Sequence, residues 1–175
     1  GNHITRVSEL SELLALKIGM DSKQAELIKW ASPLHDIGKI AIPDAILNKP
    51  GKLDADEWEI MKTHADEGYR MLCNSKKKVI QLASLVARDH HEHWNGNGYP
   101  NGVSGEAISI EGRITAVADV FDALCSKRCY KDAWTYDQAF DFMKEASGKQ
   151  FDPELVDALV VNKEQVLDIY EKFRD

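Results

Sequence analysis

Two adjacent imidazoles, His90 and His91, open the run HHEHWNGNGYP from His90 to Pro100 and lead straight into a glycine-rich loop. Upstream stands His35-Asp36-Ile37-Gly38-Lys39, and downstream Asp119-Val120-Phe121-Asp122. Neutral imidazole and carboxylate together suit borderline and harder divalent ions such as iron, manganese, cobalt or zinc. His3, His35, Asp36, His64, His90, His91 and Asp119 form the candidate donor set. These are more donors than one tetrahedral or octahedral ion accepts once a water and substrate oxygens are added. Two ions sharing a bridging carboxylate accommodate them, and Asp36, next to His35, is the natural bridge. Dinuclear sites of this kind serve mainly to hydrolyse phosphoesters.

A plainer role is open to each residue. A lone helical histidine is most often a satisfied surface or core group, and His93, like His3 taken alone, reads that way. Asp122 reads as a local hydrogen-bonding residue rather than a ligand. The pair His90–His91 is harder to dismiss. Consecutive helical positions point about 100° apart, so both rings reach one site only near a helix end. The loop beginning at Glu92 provides that end. Its residues from Trp94 to Gly102 are dense in turn formers. A loop this long inside a compact domain is more often a lid or binding element than a plain connection. Its glycines would let backbone approach a phosphate or a partner closely.

The elements that must position these groups are helical nearly throughout. Ile4, Val7, Leu10, Leu13, Leu14 and Ile18 recur at steps of three and four, predicting an amphipathic first helix that ends near Gly19. Asp21 and Ser22 can cap a second helix, which should stop before Pro33. His35–Lys39 reads as a short helical turn and Ala41–Leu53 as a connection. Asp54 with Glu57 predicts a capping box for a helix carrying Trp58, Ile60 and Met61. Another helix should begin near His64 and run through Tyr69 and Leu72. Val79–Asp89 is strongly helical and delivers His90 and His91 at its end. After a loop to about Ser109, Ile110–Leu124 predicts a long helix bearing Arg113, Asp119 and Asp122. Thr135 with Gln138 is a further cap, and Asp152-Pro153 puts proline in a first helical turn. No strand alternation of useful length occurs. The expected fold is an all-α bundle without internal repeats.

At 175 residues, with 43% hydrophobic and 29% charged content, the chain fits one soluble globular domain spanning residues 1–175. No apolar run approaches a transmembrane helix, and the N-terminus lacks the shape of a signal peptide. Cys73, Cys125 and Cys129 follow no zinc-finger spacing and read as reduced thiols of a cytosolic protein. A net charge of −7 argues against nonspecific DNA binding. It leaves a small anionic substrate open, because bound divalent metals would make the local potential positive.

The ordered motifs resemble the HD-GYP domain, a branch of the HD-type metal phosphohydrolases, over almost the whole chain. They comprise His35-Asp36-Ile37-Gly38-Lys39; Thr63-His64 followed by Gly68; His90-His91-Glu92 with Gly96-x-Gly98-Tyr99-Pro100; Ala118 to Leu124; Arg128-x-Tyr130-Lys131; and Phe151-Asp152-Pro153. The resemblance implies an HD-domain-like helical bundle with a Gly-Tyr-Pro loop. It also implies phosphodiesterase activity on cyclic di-GMP, giving linear pGpG, GMP, or one after the other. Carried over residue by residue, His3, His35, Asp36, His64, His90, His91 and Asp119 match the metal ligands. Lys39, Arg128 and Lys131 match positions that hold substrate phosphates, with Tyr99 on the same side. Two divalent transition metals are implied, iron or manganese foremost, with zinc, cobalt or nickel as alternatives. The Gly-Tyr-Pro loop is implicated in contacts with GGDEF-domain proteins, and members usually carry a sensor or receiver domain upstream. The implied setting is the bacterial cytoplasm, as part of a longer signalling protein.

Two departures bear on this. Cys129 stands where the family usually has proline, which loosens the turn that aims Arg128. The glutamate that helps some members hold a third metal would lie ahead of Gly1, so this chain is expected to favour two. In the implied mechanism, Asp36 and Asp119 orient the metals, a metal-bridging hydroxide attacks phosphorus in line with the 3′ oxygen, and Lys39 compensates charge. A metal-bound water or Lys39 would be the general acid. Competing expectations are an HD phosphohydrolase on another nucleotide, a catalytically weak cyclic dinucleotide receptor or interaction module, and cyclic GMP-AMP as the substrate.

Overall fold

Val7, Leu10 and Leu14 fall on one face of helix α1 (His3–Lys17) and are wholly buried. Ile114, Val117 and Phe121 repeat the same spacing on α7 (Ile110–Cys125), also without exposed surface. The two stripes meet in the main core. Ala25 and Ile28 of α2 (Ser22–Ala31) and Phe140 and Met143 of α8 (Tyr136–Glu145) join it. Leu155 and Leu159 of α9 (Pro153–Val161) and Val166 and Tyr170 of α10 (Lys163–Lys172) complete it. Each large aliphatic side chain taken from water here contributes roughly 1.5–3 kcal/mol. The computed structural model describes residues 2–126 and 133–174, and among them no strand forms beyond one isolated bridge, Ser147 with Phe151. The all-α expectation holds.

Helix starts follow the cap chemistry of the sequence. Asp21 accepts from Gln24 N at 2.8 Å while the Gln24 side chain accepts from Asp21 N. The same reciprocal box joins Asp54 with Glu57 ahead of α4 (Ala55–Lys62), and Thr135 with Gln138 ahead of α8. Pro153 occupies the first turn of α9, where its missing N–H costs nothing. One stretch departs from expectation. The connection read over Ala41–Leu53 contains a single-turn helix, α3 (Asp44–Leu47). Pro43 enters it with φ of −55°, and its carbonyl accepts from Ile46 N at 2.9 Å and Leu47 N at 3.0 Å. Four residues are too few to show periodicity.

A second, smaller core of Ala31, Leu82, Ala83 and Val86 joins α2 to α6 (Lys78–Asp89), which also packs on α5 (His64–Leu72). Between the two cores the chain makes two 3-10 turns, Ser32–Leu34 and Ile37–Ala41. The second lies directly on α5. A Cβ at Gly38 would collide with the His64 carbonyl and stand 2.5 Å from Gly68 N. Glycine at position 38 therefore lets Asp36 and Lys39 come alongside His64.

Candidate metal centre

Five segments supply the donors. His3 sits in the first turn of α1, His35 and Asp36 lie between the 3-10 turns, and His64 begins α5. His90 caps the C-terminus of α6 with His91 following it, and Asp119 projects from α7. Their donor atoms fall into two groups, Asp36 with His64, His90 and His91, and His3 with His35 and Asp119. Asp36 joins them. Its Oδ1 lies 3.5 Å from His64 Nε2 and 3.7 Å from His90 Nε2, while its Oδ2 lies 3.5 Å from His35 Nε2. Asp119 Oδ1 stands 3.6 Å from both His35 Nε2 and His3 Nε2. Donors at about 2.1 Å from one divalent ion stand roughly 3–4 Å apart, so this spacing suits metal ligation.

The outer nitrogens fix which atoms face inward. His35 Nδ1 lies 2.8 Å from the Ser32 carbonyl, His64 Nδ1 2.7 Å from that of Met61, and His90 Nδ1 3.0 Å from those of Val86 and Ala87. A carbonyl only accepts, so each Nδ1 donates and each neutral ring turns a bare Nε2 lone pair toward Asp36. The Nε2 atoms of His35, His64 and His90 and Oδ1 of Asp36 are buried without a hydrogen-bond partner among the described residues. Lone pairs converging in a buried space are unfavourable unless a cation sits among them. The donor set therefore fits divalent metal.

The electrostatics point the same way. Burial holds His35, His64 and His91 below the usual imidazole range, reinforced in each case by the neighbouring His90. Burial alone would push Asp36 up, but the positive charge beside it, which next to neutral rings is the Lys39 ammonium, holds the carboxyl below its usual range. Lys39 Nζ meets Asp36 Oδ2 at 2.7 Å. This ammonium is the positive charge paired with Asp36.

All seven donors expected from sequence come together here. Tyr99 lies against them, its ring stacked on His91 at a centroid distance of 4.7 Å. Burial and the carboxylates of Asp36 and Asp119 push its hydroxyl well above the ordinary range. The loop reaches this position because Gly98 packs on backbone, where a Cβ would overlap His93 N and the His91 carbonyl. Lys39 is at the cluster, whereas Arg128 and Lys131 lie outside the described residues, as does Cys129. His93 belongs to neither donor group. Asp122 is fully buried and meets His3 Nδ1 at 2.7 Å, acting as a hydrogen-bonding residue as its sequence context suggested. Sequence reading missed its support: Arg6 Nε donates to Asp122 Oδ1 at 2.6 Å, and Ser126 Oγ to Oδ2 at 3.1 Å. His3/Arg6 and Asp119/Asp122 are i, i+3 pairs, each on one face of its own helix, but that spacing does not say that α1 lies beside α7.

With this geometry, comparison with known proteins is informative. The family model described as HD domain matches residues 1–155. The chain belongs to the HD domain family. Its Gly-Tyr-Pro loop beside the paired histidines makes it a member of the HD-GYP type. It is 49% identical over 169 residues to 3'3'-cGAMP-specific phosphodiesterase 2 of Vibrio cholerae, covering 97% of this chain and 32% of that protein. It is 48% identical over 170 residues to the cyclic di-GMP phosphodiesterase response regulator RpfG of Xanthomonas campestris, covering 97% of this chain and 45% of that one. The HD-GYP chain thus spans from about a third to just under half of the length of these relatives. Among solved structures, the cyclic GMP-AMP specific phosphodiesterase V-cGAP3 of Vibrio cholerae superposes with a TM-score of 0.72 at 19% identity. That match covers 99% of this chain and 48% of that one, and it establishes the shared fold.

Proposed function

We propose that this HD-GYP domain is a metal-dependent phosphodiesterase that hydrolyses cyclic di-GMP to pGpG, GMP, or both in turn. The observation that carries the reading is Asp36: its Oδ1 faces His64 and His90 and its Oδ2 faces His35, and the Nε2 atoms of these three rings are buried with no hydrogen-bond partner among the described residues. His64, His90 and His91 would hold one divalent ion with Asp36 Oδ1. His3, His35 and Asp119 would hold the other with Oδ2. When bound, such a pair supplies a nucleophile at neutral pH and compensates phosphoryl charge. Iron or manganese is the proposed metal.

The chain's own groups do the rest. Asp36 stays ionised across the neutral range, so its charge is available to both ions. Lys39 exchanges Asp36 for a substrate phosphoryl oxygen, and Arg128 and Lys131 are assigned to the substrate phosphates as well. Tyr99, kept protonated by its surroundings, donates a hydrogen bond rather than carrying charge. The names of the relatives support a cyclic dinucleotide, and the name of the 49% identical one makes cyclic GMP-AMP the second substrate to examine. We place the unit in the bacterial cytoplasm behind an upstream sensor or receiver domain, with its Gly-Tyr-Pro loop open to GGDEF-domain partners. Among the described residues, no helix is long and apolar enough to cross a membrane.

Anaerobic incubation of iron- or manganese-loaded protein with cyclic di-GMP, with products separated over time, tests the proposal. Appearance of pGpG or GMP supports it and shows whether one bond or both are cut. Intact cyclic di-GMP after incubation with verified metal-loaded protein would replace the enzyme with a receptor.

A further inference from the structure

Trp58 and Lys62 lie one turn apart on α4 and so share a helix face. That face borders the metal cluster through Tyr99. The Trp58 ring meets Tyr99 edge-on at 6.0 Å, and Lys62 Nζ lies 5.9 Å from the centre of the same ring. Two members of the donor set also meet the Tyr99 ring, His91 stacked at 4.7 Å and His64 at 6.4 Å. Trp58 is nevertheless 44% exposed. An indole that served only to wedge Tyr99 would gain more from being covered, since the exposed part contributes no burial energy.

We propose that Trp58 and Lys62 form the base subsite of this centre, with Trp58 stacking on a guanine and Lys62 donating to its edge. This rests on the cyclic dinucleotide reading above. A phosphodiester held at the donor set would have Tyr99 and then the exposed indole as the aromatic surfaces beside it for a nucleoside. Every purine has a face to stack, and stacking on an aromatic side chain is tolerant of sequence. Lys62 adds the discrimination. Guanine offers two acceptors, O6 and N7, to an ammonium, whereas adenine puts an amino donor where O6 would be. Lys62 is paired with Glu59 at 2.8 Å and can keep that contact while using another of its three donors.

The test uses the metal-loaded chain with cyclic di-GMP, cyclic di-AMP and cyclic di-UMP. W58A should raise KM for cyclic di-GMP about ten- to a hundredfold, the loss of one stacked base. Bound metal should match the wild type, and W58F should recover most of the loss. The wild-type preference for cyclic di-GMP over the pyrimidine analogue should shrink in W58A, because a pyrimidine stacks over less area. K62A should narrow the preference for cyclic di-GMP over cyclic di-AMP. Equal losses for purine and pyrimidine ligands, or loss of metal in W58A, would overturn the subsite and make Trp58 a prop for Tyr99. If the wild type binds cyclic di-GMP without cutting it, the activity fails but the same Kd ratios still decide the subsite. No binding at all would overturn both.

Discussion

The Asp122 carboxylate meets His3 Nδ1 at 2.7 Å, and the contact ties the later half of α7 to the first turn of α1. It sets the ring's tautomer. A carboxylate on Nδ1 keeps the proton there and points a basic Nε2 at Asp119 and His35. Arg6 and Ser126 hold Asp122 in turn, and Arg6 Nη1 also donates to the Phe173 carbonyl just beyond α10. The hydrogen bonds from His3 and Arg6, with the Arg6 charge, outweigh burial and hold Asp122 below its ordinary range. D122N preserves shape but weakens this hold. Affinity for the ion on the His3, His35 and Asp119 side should fall about 10- to 100-fold. The ion on the His64 side should remain. Calorimetric titration with elemental analysis checks this, and equal weakening of both ions would contradict it.

Gly38 makes a different demand on the site, one of space. Its missing side chain lets the turn of Ile37–Ala41 rest on the His64 carbonyl. G38A must separate the two backbones, at a cost of about 1–3 kcal/mol or more. The added loss is in metal affinity, because Asp36 and His64 move apart. G68A is the milder companion. Its Cβ would meet the Ala87 side chain at 2.9 Å, a contact relieved by a smaller shift. Urea unfolding and metal titration of both variants should rank G38A as the more damaging on each measure. Equal effects would mean that α5 yields where the backbone contact says it cannot.

These two sites mark what the sequence made legible. His35-Asp36 and His90-His91 are each adjacent pairs, and with a helix end at Glu92 and further histidines and an aspartate spaced along the chain they pointed to a metal site without knowledge of the fold. The caps at Asp54/Glu57 and Thr135/Gln138 are local chemistry and were equally readable. Arg6 on Asp122 was not, because it depends on α1 lying beside α7, and nothing in either stretch states which helices are neighbours. The single turn of α3 was hidden for another reason: it rests on the carbonyl of one proline, with no apolar period behind it. The break at Asn162 between α9 and α10 is similar. Neither glycine nor proline marks it, and the Asn162 amide closes α9 by donating to the Ala158 carbonyl at 2.7 Å.

Cys125 should be a poor nucleophile. Burial and the nearby Asp122 carboxylate push its thiol up to about 12, against about 8.5 for a free cysteine. At pH 8 little thiolate forms, so alkylation should be slower than for an unfolded thiol by about a thousandfold. Because the folded pKa is the higher one, the unfolded chain loses this proton first. The contribution to stability is complete below about pH 8.5 and declines as pH rises toward the folded value. Peptide mapping after brief iodoacetamide treatment, with and without urea, reads the first effect. Rapid labelling of Cys125 in the native protein would show that the end of α7 opens readily.

Lys39 provides the sharpest separation of metal binding from turnover. Its Nζ sits 2.7 Å from Asp36 Oδ2, the oxygen facing His35, and so competes there with any ion. Removing the ammonium in K39A removes both the competitor and its repulsion of a divalent cation. Metal affinity should therefore hold or rise. Turnover should move the other way, falling about 10²- to 10³-fold, because the variant lacks a cation placed for charge developing on the phosphoryl oxygens. Metal titration and cyclic di-GMP hydrolysis on the same preparation distinguish the two effects. Parallel loss of metal and activity would make Lys39 a support for Asp36. Unchanged turnover would remove it from the proposed chemistry and leave phosphate neutralisation to Arg128 and Lys131.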